Sequence, residues 1–170
     1  MSNVEQKTLS DLEWDQVQLA VAERCRGPLR DHLVLPLAES YEETSRALAE
    51  STEAWALLTR NEPLPLAGIC DIATSLGHLE REGVLDGPAL KDIRLTLRAS
   101  AALRRFLGQR KETAPYLHRA CAIDPTLDGL EEELGMSIGE DGTLLDSASP
   151  ELAQLRAEVA NLRARIIRKL

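Results

Sequence analysis

The sequence predicts a mainly α-helical protein: a multi-helix bundle with a small β-hairpin near residues 136–146 and a long C-terminal helix. Hydrophobic residues make up 44% of the 170 residues and aromatic residues only 3%, so leucine and alanine, both strong helix formers, supply most of the apolar surface. Helix-capping signals precede several segments with helical periodicity. The length fits one domain, which would bury about two-thirds of its unfolded surface.

Three helices are predicted in the first third of the chain. The first runs from about residue 10 to residue 24, and a short second helix spans about residues 28–35. Ser40 and Glu43 form the S-x-x-E of a capping box, so a third helix begins there and runs to about residue 59. The apolar residues that share one face of this helix are Leu48, Trp55 and Leu58.

The middle of the chain predicts four further helices. One spans residues 69–82, and the longest internal helix spans about 88–111 and is expected to be central to the fold. Two weaker helices are predicted around residues 114–122 and 126–134. The longest helix is largely apolar, but one narrow stripe along it is basic and consists of Lys91, Arg94, Arg98 and Arg105.

The end of the chain predicts a hairpin followed by the clearest helix of the sequence. Asp141-Gly142, between two short β-prone segments, is a strong hairpin signal. Ser149 suits an N-cap and Pro150 suits the first helical position, so we expect a helix over residues 149–170. Spacings of three and four predict a coiled-coil seam on it, formed by Leu152, Leu155, Val159, Leu162 and Ile166.

The seam has two interpretations. No glycine or proline ends the last helix, so we expect it to begin a longer arm of an antiparallel coiled coil whose returning arm is not in this sequence. Alternatively, the seam is a surface for self-association. We accordingly divide the chain into a helical part over residues 1–148 and the start of a long helix over residues 149–170.

The formal net charge of −8 is unevenly distributed. Residues 90–111 carry +6 and residues 151–170 carry +3, which leaves −17 on the remainder. The basic stripe of the longest helix either pairs with acidic neighbours, such as the helix that carries Glu42 and Glu43, or faces phosphate. Because the acidic remainder would repel a phosphate backbone, extensive DNA binding by this chain alone is disfavoured.

The sequence predicts no catalytic, cofactor-binding or metal-binding residue, and hence no enzymatic activity for this chain. A phosphate-binding G-x-x-x-x-G-K-[ST] motif is absent. The histidines lie in different predicted elements, without an H-x-x-x-H pair, and are interpreted as surface or packing residues: His32, His78 and His118.

Cysteine usage and hydropathy predict a cytoplasmic protein without membrane contact. The cysteines are far apart and lack metal-ligand spacing, so they are interpreted as small buried hydrophobic residues in a reducing compartment: Cys25, Cys70 and Cys121. The N-terminus lacks a signal-peptide pattern, and no apolar run approaches the roughly 20 residues that span a bilayer.

The order of several short motifs resembles a known family. These motifs are Leu12-Glu13-Trp14-Asp15, Pro28-Leu29, Leu35-Pro36-Leu37, Leu64-Pro65-Leu66, Gly68-Ile69, Asp71-Ile72, Gly83-Val84-Leu85 and Asp141-Gly142. The most specific motif is Asp146-Ser147-Ala148-Ser149-Pro150-Glu151-Leu152, which leads into the last helix. Together they resemble the N-terminal segment of the second bacterial MutS paralogue, the recombination-suppressing homologue that lacks the mismatch-recognition domain and often ends in an Smr nuclease domain. The resemblance covers essentially the whole chain.

The resemblance implies that residues 1–148 are the first half of the core, or lever, domain and that residues 149–170 begin the coiled-coil clamp. In that family the ATPase, which uses ATP and Mg²⁺, lies further along the chain, and the complete protein is a homodimer that acts on branched or duplex DNA or on ribosomes. It also implies that the complete protein is an ATPase and possibly an endonuclease. This chain would then be a non-catalytic lever that couples the ATPase to the clamp.

Two other functions stay open at this point. The chain could be a self-contained helical adaptor that recruits a partner through its C-terminal helix. It could also be an independent nucleic-acid-binding module, which is weakened by the acidic remainder and by the scarcity of aromatic side chains for stacking.

Overall fold

The computed structural model describes residues 5–25, 33–35, 37–38 and 40–168. These residues form a mainly helical protein, as the sequence predicts, and none of their helices is both long and apolar enough to cross a membrane. The helices are α1 (Gln6–Asp11), α2 (Trp14–Ala22), α3 (Tyr41–Thr59), α4 (Ala73–Leu79), α5 (Gly87–Gly108), α6 (Pro115–Ala120), α7 (Leu127–Ser137) and α8 (Pro150–Ile167), with a 3₁₀ helix at Asp146–Ala148.

The chain divides into two compact units. The first unit consists of residues 1–71 and 99–124, and the second consists of residues 72–98 and 125–170. Helix α5 therefore contributes its last residues to the first unit and its first residues to the second unit.

The first unit has a small aliphatic core. Its buried residues come from α3, α5 and the start of α6, and are Leu57, Leu103, Leu107 and Ala114. Partly buried residues that pack against them are Leu64, Phe106, Leu117 and Cys121. At the rim of this core, Arg110 lies over the Phe106 ring at 3.8 Å from its centroid, and its Nε donates to Glu62 Oε2 at 2.7 Å.

Helix α3 begins where its capping signal predicts. The Ser40 hydroxyl oxygen accepts a hydrogen bond from the Glu43 N–H at 3.2 Å, which satisfies one of the free N–H groups of the first turn. Further along α3, the Glu53 carboxylate accepts hydrogen bonds from the N–H groups of Tyr116 and Leu117 at 3.1 and 2.8 Å. A side chain of α3 thereby caps the N-terminus of α6.

The second unit packs around the first part of α5. Ile93 and Ile138 are its buried large side chains, at 8% and 1% exposure. Arg94 Nη1 donates to the Ile138 carbonyl oxygen at 3.2 Å, and the Ser147 hydroxyl donates to the Met136 carbonyl oxygen at 2.6 Å. The first bond attaches the segment after α7 to α5, and the second attaches the last turn of α7 to the 3₁₀ helix.

The predicted β-hairpin over residues 136–146 is wrong. Helix α7 extends to Ser137, three residues beyond its predicted end, so only one isolated antiparallel bridge, between Ile138 and Leu144, remains in this segment. The turn itself forms as the Asp-Gly signal predicts, because Gly142 has φ +82° and Gly139 N–H donates to the Thr143 carbonyl oxygen at 2.8 Å. Between α7 and the 3₁₀ helix the chain therefore forms a turn that is closed by this single bridge, and no strands.

The N-terminal prediction also needs correction. The helix expected over residues 10–24 corresponds to α2, while α1 begins before residue 10; the two helices are separated at Glu13, a residue in the left-handed region with φ 50°. The predicted helix over residues 28–35 lies mostly outside the described residues, and Leu33–Leu35 are not helical. The Leu35 N–H instead donates to Gln18 Oε1 at 3.2 Å.

Candidate helix-pairing surface and basic groove

Helix α8 carries the predicted seam and begins where the sequence predicts. The Ser149 hydroxyl oxygen accepts from the Leu152 N–H at 3.0 Å, and Pro150 occupies the first turn. Arg156 Nη1 lies 2.6 Å from Asp146 Oδ1, so an ion pair fixes the first turns of α8 to the 3₁₀ helix that precedes it. The base of the helix is therefore anchored in the second unit.

Beyond this anchor the seam is open to solvent. Leu152 is half-buried, but Leu155, Val159, Leu162 and Ile166 are 53%, 47%, 54% and 61% exposed. At about 100° per residue these side chains form one narrow stripe along α8. An open groove of about 280 Å³ on the same helix is lined by Leu155, Arg156, Val159, Ala160 and Arg163. An apolar stripe flanked by arginines is typical of a surface that pairs with another helix.

The basic stripe of α5 is divided by the structure into residues with different surroundings. Arg94 makes contacts within the second unit: its Nη1 donates to the Ile138 carbonyl oxygen, and its Nε lies 3.5 Å from Glu131 Oε1. The guanidinium group also lies against Gly135, since a Cβ atom built there would be 3.1 Å from Nη2. Arg94 thus has a structural role, and its acidic partner belongs to α7 and not to the helix of Glu42 and Glu43.

Lys91 and Arg98 are the members of the stripe that face an open surface in the second unit. Together with Arg94, Leu95 and Glu140 they line a shallow groove of about 250 Å³. Arg98 is exposed and Lys91 is half-buried, while Arg105 belongs to the first unit and is exposed there. The presence of Glu140 lowers the attraction of this groove for a phosphate group.

The described residues include no group of three or more His, Cys, Asp or Glu side chains that could hold a metal ion. The cysteines are half-buried instead of fully buried. Burial raises the pKa of the Cys121 thiol above its ordinary value of 9.0, and the nearby Glu50 carboxylate raises it further. A thiol with a raised pKa is a poor nucleophile at neutral pH.

One exposed surface was not predicted as a site. The face of α3 that carries Leu48, Trp55 and Leu58 is turned to solvent, with exposures of 63%, 70% and 59%. The periodicity of these residues could be read from the sequence, but it does not say which face of the helix the rest of the unit covers.

The geometry defines a class of protein: a mainly helical scaffold with exposed apolar faces on α3 and α8. Sequence similarity to known proteins narrows this class further. The chain is similar to three proteins named Endonuclease MutS2: that of Symbiobacterium thermophilum, 31% identical over 169 residues; that of Geobacillus kaustophilus, 32% identical over 169 residues; and that of an Anaeromyxobacter species, 34% identical over 155 residues.

The similarity covers almost all of this chain but a small part of each relative. It extends over 98%, 96% and 88% of this chain and over 21%, 22% and 19% of the three relatives, respectively. The chain thus spans about one-fifth of the length of the curated relatives it matches. No protein-family model and no solved structure matches the chain.

Proposed function

We propose that this chain is the non-catalytic N-terminal core segment of a MutS-type, DNA-acting ATPase, and that α8 begins one arm of its coiled-coil clamp. In the complete protein, ATP and Mg²⁺ would bind outside this chain, and a nuclease activity would also lie elsewhere. The core segment would act as a lever, because packed helices move as rigid units and transmit displacement. Branched or duplex DNA or the ribosome would be the target, and the complete protein would be a homodimer in the cytoplasm.

The observation that carries this proposal is the exposed seam of α8 above an anchored first turn. A helix that leaves Leu155, Leu162 and Ile166 in water gains stability when a second helix covers them, by about 25 cal/mol for each Å² of apolar surface removed from water. The chain is similar to proteins about five times as long, and the remainder of such a protein would supply the second helix that covers the seam.

The first test is catalytic. The purified chain is expected to show no ATP turnover above the buffer background. ATP turnover by this chain that is abolished by a point change within it would overturn the proposal.

The second test uses an exchanged protein, in which residues 1–170 replace the matched segment of the Symbiobacterium thermophilum relative. We expect Leu162→Asp to weaken its binding to branched DNA by about tenfold or more, since a carboxylate in a helix-pairing seam costs more than about 1.4 kcal/mol. The matched control is Ile167→Asp, because Ile167 is 73% exposed and lies off the seam. Equal effects of the two changes would contradict a role of the seam in the clamp.

The adaptor function is the second candidate, and the same exposed seam favours it. An adaptor would bind a protein other than the remainder of its own family protein through α8. A stable complex of the unmodified chain with such a partner, lost in Leu162→Asp and kept in Ile167→Asp, would favour the adaptor.

A further inference from the structure

The residues of the α8 seam follow the pattern of a two-stranded coiled coil. Their spacings of three and four fix the heptad positions: position a is taken by Leu152, Val159 and Ile166, and position d by Leu155 and Leu162. In parallel coiled coils, β-branched residues at a with leucine at d favour two strands over larger assemblies. The composition of the seam therefore suits one partner helix.

The charges on the two sides of the seam have opposite signs. Glu151 and Glu158 lie at heptad position g on one side, and Arg156 and Arg163 lie at position e on the other. At about 100° per residue, each pair falls about 20–40° beyond one edge of the seam. Glu158 and Arg163 are both exposed, and because they are five residues apart they do not face each other within one helix. Both charges are therefore available to a helix that covers the seam.

A second copy of α8, laid parallel and in register, brings these charges together. In a parallel coiled coil, a g residue of one strand lies beside the e residue five positions later on the other strand, so Glu158 of each copy lies beside Arg163 of the other. Glu151 and Arg156 are arranged in the same way, but Arg156 is already paired with Asp146 at 2.6 Å. The two symmetric pairs of Glu158 with Arg163 therefore define the orientation.

An antiparallel pair of copies has less favourable charges. In that orientation e residues face e residues, and both of them, Arg156 and Arg163, are arginines, so like charges meet. The g residues would place Glu158 near Arg165, which gives an attraction against this repulsion. The parallel pair has attractions on both sides of the seam, so charge complementarity selects the parallel orientation.

We propose that the α8 seam binds a second copy of this chain, with the two helices parallel and with Glu158 of each copy paired with Arg163 of the other. This inference goes beyond the function proposed above and does not rest on it. An antiparallel arm of the same polypeptide, where present, would compete for the same seam. The exposed part of the seam, Leu155 to Ile166, spans only about two heptads, so we expect weak and reversible pairing with a dissociation constant of about 0.1 mM.

Sedimentation equilibrium of the 170-residue chain tests whether copies associate. The weight-average mass is expected to rise from 18.7 kDa at a protein concentration of about 1 µM to more than about 30 kDa at about 1 mM. A mass that stays at 18.7 kDa at the higher concentration overturns the inference and leaves the clamp arm standing.

Leu162→Asp tests whether the seam is the contact. The change should abolish the rise in mass, because it places a carboxylate in the pairing surface. Leu162 is 54% exposed in the single chain, so the variant is expected to fold, which circular dichroism checks. The matched control is Ile167→Asp, at a position that is 73% exposed and lies off the seam, and it should keep the rise. A rise that persists in Leu162→Asp places the contact on another surface and overturns the inference.

Arg163→Glu tests the orientation of the two helices. In a parallel pair it replaces two attractions by two repulsions, so the dissociation constant should rise about tenfold. In an antiparallel pair the same change puts a carboxylate beside Arg156 and strengthens association. Stronger or unchanged association of Arg163→Glu therefore overturns the parallel pairing.

Mixing two variants gives a test by rescue. Glu158→Arg alone should also weaken association about tenfold, because like charges then meet on both sides of the seam. An equimolar mixture of Glu158→Arg and Arg163→Glu should regain the mass of the unmodified chain, since each helix of a mixed parallel pair supplies the charges opposite to those of the other. A mixture no heavier than the separate variants would overturn the inference.

Discussion

At the scale of single residues, Gly87 shows the least tolerance for change. A Cβ atom at this position would overlap the carbonyl oxygen of Gly142, which is itself fixed in a turn at φ +82°. Because both contacting groups are backbone, neither can move aside as a flexible side chain would. The start of α5 therefore depends on the absence of a side chain here.

We expect Gly87→Ala to lower the free energy of unfolding by about 1–3 kcal/mol, as overpacking does in a close-packed site. The measurement is urea denaturation followed by circular dichroism. Gly77→Ala is the matched control: Gly77 lies inside α4 with open space around it, so alanine there should stabilise by about 0.5–1 kcal/mol. The prediction fails if both variants shift stability in the same direction.

Arg94 and Arg98 offer a second comparison between residues of one stripe. Arg94→Met leaves the Ile138 carbonyl without its donor and Glu131 without its cation, so we expect a loss of about 1–3 kcal/mol in unfolding free energy. Arg98 is exposed, so Arg98→Met should stay within about 0.5 kcal/mol. If the two variants have equal stability, the structural role of Arg94 is refuted.

At the scale of elements, the six-residue helix α6 depends on a side chain from α3. A helix this short is marginal by itself, and Glu53 satisfies two of its free N–H groups. We expect Glu53→Ala to lower the unfolding free energy by about 1 kcal/mol and to speed amide exchange in α6. Glu132→Ala, at an exposed position of α7, is the control and should have little effect. Unchanged exchange in α6 would refute the capping role.

The elements also show what the sequence could predict. The starts of α3 and α8 follow from Ser40 and Ser149, because capping is a local interaction over three residues. The pairing of Glu53 with α6 and of Arg94 with Ile138 spans 44 residues or more, and no local pattern encodes such contacts. For α3, periodicity placed Leu48, Trp55 and Leu58 on one face, but it did not show that this face is the exposed one.

At the scale of the whole molecule, stability is unevenly distributed along the helices. We expect hydrogen exchange to be slowest around Leu103 and Leu107, where side chains are 8% and 1% exposed, and fastest among helical residues around Val159 and Leu162. All four amides are helical, so the difference reports packing and not secondary structure. Uniform protection along α5 and α8 would contradict this gradient.

The open α8 seam and the exposed face of α3 that carries Leu48, Trp55 and Leu58 also affect the heat capacity change of unfolding. Unfolding hydrates new apolar surface, and the heat capacity change is about 12–15 cal/mol/K per residue for ordinary globular proteins. Here many large hydrophobic side chains are in water before unfolding begins, so the heat capacity change and the denaturant dependence of unfolding should both be smaller than chain length suggests. The free energy of unfolding of this chain would then vary unusually little with temperature, and cooling would lower it only slightly.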